Sequence, residues 1–139
     1  MTKEKVRTRV SQYGRPLALS KFRWNEDTNT FSSREHDLII DFQGISDYTF
    51  NTGDHCTFKT GGECTFKTGW FCTFSTGDQC TFTTGGFCTF STGDDCTFIT
   101  GCDCTFNTGT CCTWVFGSKS YPFAPLFIQG SNWAINVRE

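Results

Sequence analysis

The chain has 139 residues, a formal net charge of −2 and 37% hydrophobic residues. That is enough for one domain, and too balanced overall for a general polyanion binder. No apolar stretch follows Met1-Thr2-Lys3-Glu4-Lys5, so the sequence predicts neither a signal peptide nor a membrane span, and a cytosolic setting in which thiols stay reduced.

The charge is unevenly placed. Residues 1–35 hold eight Lys/Arg against four acids, whereas residues 44–113 hold seven acids against Lys59 and Lys67. A basic head on an acidic body suits contact with something negative, or simply a solvated head.

In chain order, Leu17 to Trp24 is expected as a strand, Asn25 to Asn29 as a turn and Thr30-Phe31-Ser32 as the return. Asp37 to Phe42 is expected as another strand. It leads to Tyr48-Thr49-Phe50, which imitates the repeat that follows. Residues 1–43 thus form an N-terminal cap, longer than a cap needs, with part of it a possible docking arm carrying Tyr13, Phe22 and Trp24.

The body, 44–117, is an octad, Cys-Thr-Phe-x-Thr-Gly-y-z, beginning at Cys56 and recurring from Cys64 to Cys112. A period this strict means a repeat architecture. The first five positions suit a short strand. The Gly is expected to supply a positive-φ corner, with y and z completing the turn. Strand side chains alternate faces. The x position holds Lys59 and Lys67, and lysines do not sit unpaired inside a narrow coil. Therefore x and the first Thr point out, while Cys, Phe and the second Thr point in. The interior ladder is Phe58, Phe66, Phe74, Phe82, Phe90, Phe98, Phe106 and Trp114, with Cys64, Cys72, Cys80, Cys88, Cys96 and Cys104 beside it. Each buried Phe contributes roughly 2–3 kcal/mol. The inward Thr hydroxyls are expected to bond corner backbone groups.

Two octads per coil place Trp70, Phe71 and Phe87 on one edge with Asp54, His55, Cys102 and Asp103. Glu63, Asp78, Asp94 and Asp95 then fall on the other. The expected fold is all-β: a two-sided β-solenoid, like a parallel β-helix, with 16 residues per coil and a cap at each end. Phe50 to Trp114 would make four coils, a rod of about 19 Å. A triangular coil of three octads and an intertwined trimer are the rival geometries. Residues 118–139 are expected as a cap: a loop to Pro125, then a closing hairpin of Leu126 to Ile128 and Trp133 to Val137.

In-register parallel neighbours do not offer disulfide geometry, so the ladder cysteines are expected as small buried hydrophobes. Cys102 and Cys111, in corners, are the candidates for reactivity or cross-linking. With no CxxC pair and no histidine at ligand spacing, no metal is expected. No cofactor or small-molecule substrate is expected either.

The Cys-Thr-Phe-x-Thr-Gly-x-x string, followed by Pro125-Leu126-Phe127-Ile128-Gln129-Gly130-Ser131-Asn132-Trp133 to Val137, resembles uncharacterised octad-repeat proteins associated with tailed bacteriophages and some bacteria. The resemblance implies a β-solenoid in a phage or bacterial setting, in the infected host cytoplasm or the virion, and implies no catalytic residues. It departs in Trp114 for Phe, Phe116 for the second Thr, and Cys102 and Cys111 in corners.

The leading expectation is a structural or interaction protein with a protein partner or a homo-oligomeric state. Trp70, Phe71, Phe87, Tyr13 and Trp24 are its candidate contact residues; the bland alternative packs the corner aromatics against the N-terminal section. An enzyme is not expected, because His36 and His55 stand without a nucleophile elbow, a phosphate loop or a separated carboxylate pair. The alternatives are ice or crystal-surface binding by the outward Thr columns, and nucleic-acid binding by the basic head with Tyr13, Phe22 and Trp24.

Overall fold

The computed structural model describes residues 1–117, 127–131 and 134–138, with side chains through 115. Helix α1 (Lys3–Arg7) starts at Thr2, whose hydroxyl accepts the Lys5 N–H at 3.2 Å, and buries Val6. Strands β1 (Val10–Gln12) and β2 (Arg15–Pro16) form a hairpin. Its turn is Tyr13-Gly14, with φ of 53° and 78°, the paired left-handed conformation of a two-residue hairpin loop. A 3-10 turn at Leu19–Lys21 precedes β3 (Arg23–Asn25). The strand expected over Leu17 to Trp24 is therefore confined to its end, because Leu17 and Phe22 turn inward around that 3-10 turn. Strand β3 pairs antiparallel with β4 (Thr30–Ser32), the expected hairpin.

From β4 on, the chain is a stack. Strands β5 (Leu38–Phe42), β6 (Thr49–Asn51), β7 (Thr57–Thr60), β8 (Thr65–Lys67), β9 (Thr73–Ser75), β10 (Thr81–Thr83), β11 (Thr89–Ser91), β12 (Thr97–Ile99), β13 (Thr105–Thr110) and β14 (Thr113–Gly117) alternate between two walls. Phe66 pairs with Phe82 and Phe82 with Phe98, all parallel and in register. Each coil is therefore about 16 residues, and the solenoid has about five turns. It is two-sided, and both walls of every layer come from the same chain, so neither a third wall nor a second chain is needed to close a coil. Parallel stacking begins with β4 and β5, inside the segment the sequence assigns to the cap.

The core is a double file of rings. Along each wall they stack almost parallel: Phe58 on Phe74 at 5.0 Å and 3°, Phe66 on Phe82 at 4.9 Å and 4°. Across the walls they meet edge to face, as Phe66 meets Phe74 at 74°. In-register strands impose the stack; the perpendicular contacts set positive ring rims against negative faces, worth about 1 kcal/mol each beyond burial. Trp114 ends the file, stacked on Phe98 and perpendicular to Phe106. At the other end Tyr48, in the Cys slot, packs between Trp24 and Phe42.

Two antiparallel strands cover the open sheet edges at the N-terminal end, β1 on β5 and β3 on β4. At the other end the expected hairpin is not formed. Strands β15 (Phe127–Ser131) and β16 (Ala134–Arg138) join different sheets, parallel to β13 and β14 respectively. They continue the two walls. The loop expected over Ser118 to Pro125 lies outside the described residues.

Candidate functional site

Folding consumes most of each octad. The ladder cysteines and phenylalanines are at most 1% exposed, while Lys59 and Lys67 face solvent. Inward Thr60, Thr84 and Thr108 bond the carbonyl of the next glycine at 3.0–3.1 Å, as expected. The buried hydroxyls of Thr52, Thr68 and Thr100 lie instead beside the thiols of Cys56, Cys72 and Cys104. What folding leaves free is the outward Thr and x faces of the walls and the y and z columns on the two edges.

The corner conformation corrects the sequence expectation. Positive φ falls at z and not at the glycine: His55, Glu63, Phe71, Gln79, Phe87, Asp95, Asp103 and Cys111 all lie near 55–61°. The octad glycine is required by close approach. A Cβ on Gly85 would meet the Trp70 ring of the previous coil, and one on Gly93 the Asp78 carboxylate. The y side chain of one coil lies over the glycine of the next. Three aspartates use this placement as a backbone cap. Asp54, Asp78 and Asp94 accept the N–H of Trp70, Asp94 and Thr110, each at 2.8 Å. Such charge-assisted bonds are worth about 1.5–3 kcal/mol at best, and less at an exposed edge.

On the aromatic edge, His55, Phe71 and Phe87 form a continuous stack, 4.9 Å and 5.1 Å between centroids and within 9° of parallel. Trp70 leans on Phe87 at 6.0 Å and lies over Gly85 and Gly86. Trp70, Phe71 and Phe87 remain 44–49% exposed. Among the described residues, the ring partners of Trp70, Phe71 and Phe87 are one another and His55, with none from the N-terminal section. Tyr13 comes to the same edge: its hydroxyl donates to the Asp37 carboxylate at 3.2 Å, and Asp37 has the corner conformation one coil below His55. That carboxylate pushes the Tyr13 phenol above its ordinary pKa. Trp24 is not with them. It is half-buried, its indole N–H bonded to the Met1 carbonyl at 2.8 Å and its ring against Tyr48.

The opposite edge is acidic. Glu63, Asp78, Gln79, Asp94 and Asp95 line a shallow cleft of about 370 Å³. The N-terminal section carries a second cleft, about 590 Å³, between Lys21, Arg23, Arg34 and Glu35; Lys21 is paired with Glu35 at 3.2 Å.

The ten cysteines are free thiols. The ladder thiols donate weakly to corner carbonyls one coil back, as Cys72 does to Gly53 at 3.6 Å and Cys80 to Gly61 at 3.7 Å. Hydrogen bonds between neighbouring thiols split the ladder, raising Cys56, Cys80 and Cys88 and lowering Cys64, Cys72, Cys96 and Cys104, while burial raises them all. Cys102 and Cys111 stand on opposite edges and cannot pair within the chain; Cys111 is exposed and Cys102 half-buried. Burial, and then the Asp103 carboxylate, raises Cys102. Among the described residues no three His, Cys, Asp or Glu side chains gather as metal ligands.

Compared with family models, curated proteins and solved structures, the chain matches none.

Proposed function

We propose that the protein is a rigid structural rod that docks into a larger assembly through its aromatic edge. In the setting the octad resemblance implies, it is a phage virion or assembly component. The observation that carries this is the pre-stacked, solvent-facing run His55–Phe71–Phe87 with Trp70 beside it. Exposed aromatics gathered on one edge mark an interaction surface, and rings already locked in a stack lose little entropy on docking. The repeat's own chemistry supports the same reading: Asp54, Asp78 and Asp94 cap backbone and the eight ladder thiols fill the core.

The test is quantitative mass spectrometry of purified particles from cells carrying the native gene. A fixed number of copies per particle is expected, and Phe71→Glu is expected to abolish incorporation. Absence of the chain from particles at every assembly stage sinks the reading.

A second reading is favoured by one observation. The in-register walls align the outward Thr into columns, with Ser75 and Ser91 beside Thr73 and Thr89. Such a hydroxyl array suits an ordered surface such as ice, but Lys59 and Asn107 interrupt it. Thermal hysteresis of the purified chain decides it; no activity removes it. The nucleic-acid alternative gains no such support, because Phe22 is buried and Trp24 is packed, leaving Tyr13 alone exposed.

A further inference from the structure

The aromatic edge has an order along the rod as well as a composition. Its z column runs His55, Phe71, Phe87, Asp103, one residue per coil, and its y column runs Asp54, Trp70, Gly86, Cys102. We infer that this edge pairs with the same edge of a second copy of the chain, the two rods antiparallel about a two-fold axis passing between Phe71 and Phe87. The inference rests on the reading of this edge as a docking surface and names its partner.

The two-fold operation maps 55 onto 103 and 71 onto 87. His55 of each copy then faces Asp103 of the other, an imidazole N–H or imidazolium against a carboxylate, at both ends of the contact. Between them the Phe71 and Phe87 pair meets its own image. In the y column each Trp70 ring lies over its own Gly85 and Gly86 and adds an exposed face beside the phenylalanine pair. A self-complementary patch of this kind is what a two-fold interface requires. A two-fold along the rod axis would instead set each z residue against a y residue, Phe71 against Trp70 and His55 against Asp54, whose carboxylate already caps the Trp70 N–H. The acidic edge has no such solution, because any pairing of Glu63, Asp78, Asp94 and Asp95 with themselves sets carboxylate on carboxylate.

The size of the patch fixes the strength. Three half-exposed aromatics offer roughly 300 Å², which falls in the range of functional patches and well short of the ~800 Å² per partner of a standard interface. The dimer is therefore of the weak, transient class.

The experiment is sedimentation velocity of the full chain under reductant, over a concentration series reaching about 100 μM. The expected result is a reversible monomer–dimer equilibrium. Phe71→Glu is expected to weaken it at least 30-fold, a rough figure for an aromatic anchor lost twice. His55→Asp, which sets Asp against Asp103, is expected to weaken it about tenfold, and the swap His55→Asp/Asp103→His to restore it to within about threefold. Folding of the variants is protected, because the chain already carries Glu, Asp and His at z positions with the same positive φ, at Glu63, Asp95 and His55. Monomer throughout, a dimer indifferent to Phe71→Glu, or a swap that does not rescue each overturns the proposal. A monomer whose Phe71→Glu variant still loses its place in particles overturns only the second copy as partner. A dimer absent from particles overturns only the assembly role.

Discussion

The two edges of the solenoid share one backbone and little else. Both put positive φ at z, both run the same glycine N–H to glycine carbonyl ladder at 3.1–3.2 Å, and both use an aspartate at y to cap the coil above. Yet one edge is a stack of rings and the other a row of carboxylates. Conformation at the corners is thus set by the invariant residues and the neighbouring coil, and y and z are free to vary in chemistry. A two-octad coil keeps that variation sorted, because odd and even corners never mix.

The largest effect expected from breaking this sorting is a change of parity. Deleting residues 80–95, one whole coil, leaves every later corner on its own edge. It is expected to give a shorter protein with cooperative unfolding. Deleting residues 80–87 alone moves the acidic corner of Asp94 and Asp95 above Trp70 and Phe71, and is expected to lower the melting midpoint by at least ~10 °C relative to the whole-coil deletion. Equal midpoints would show that the edges are interchangeable.

Next in size is the core that both edges share. Phe82→Ala opens the double file at a fully buried ring stacked on Phe66 and Phe98, and a loss of about 3–5 kcal/mol is expected in denaturant unfolding. Gly85→Ala drives a Cβ into Trp70 and is expected to cost about 1–3 kcal/mol, most of it recovered when Trp70 is also made Ala. Additive costs would break the claim that this glycine serves close approach.

The two edges separate most cleanly at z. Glu63→Gly removes a left-handed non-glycine residue with no stacking partner, and is expected to change stability by no more than about 1 kcal/mol, in the stabilising direction. Phe71→Gly gains the same backbone relief but loses two stacked rings, and is expected to destabilise by about 1 kcal/mol. The smallest perturbation is chemical: under native conditions one equivalent of a thiol-alkylating reagent is expected at exposed Cys111, slower reaction at Cys102, and none at the ladder thiols until unfolding. Rapid labelling of Cys80 or Cys88 would contradict a packed interior.

Much of this was legible in the sequence because its constraints are local. Lys59 and Lys67 at x decide which face is out, and that places every Phe and Cys. The 16-residue register follows from the segregation of Trp70, Phe71 and Phe87 from Glu63, Asp78 and Asp94. The glycine role was not legible. Positive φ sits on Phe71 and Glu63, residues with no propensity that announces it, and the atoms that exclude a Cβ at Gly85 or Gly93 lie on Trp70 and Asp78, fifteen residues earlier. Gly86, sixteen residues after Trp70, is the one available hint. The pairing of the last strands was not legible because the octad spacing ends after Trp114, so alternation alone suggested a hairpin where each segment extends its own wall. At the site, Tyr13 reaches the aromatic edge only through a hairpin turn and its bond to Asp37, a contact no spacing reveals, while Trp24 is taken by Met1 and Tyr48.

The aspartate caps also have a direction. Asp54 serves Trp70, Asp78 serves Asp94 and Asp94 serves Thr110; in every case the acceptor is made before the donor. A chain leaving the ribosome N-terminus first therefore presents each finished coil as a template whose carboxylate already waits for the amide of the next, and the rod is written in the order in which it can be read.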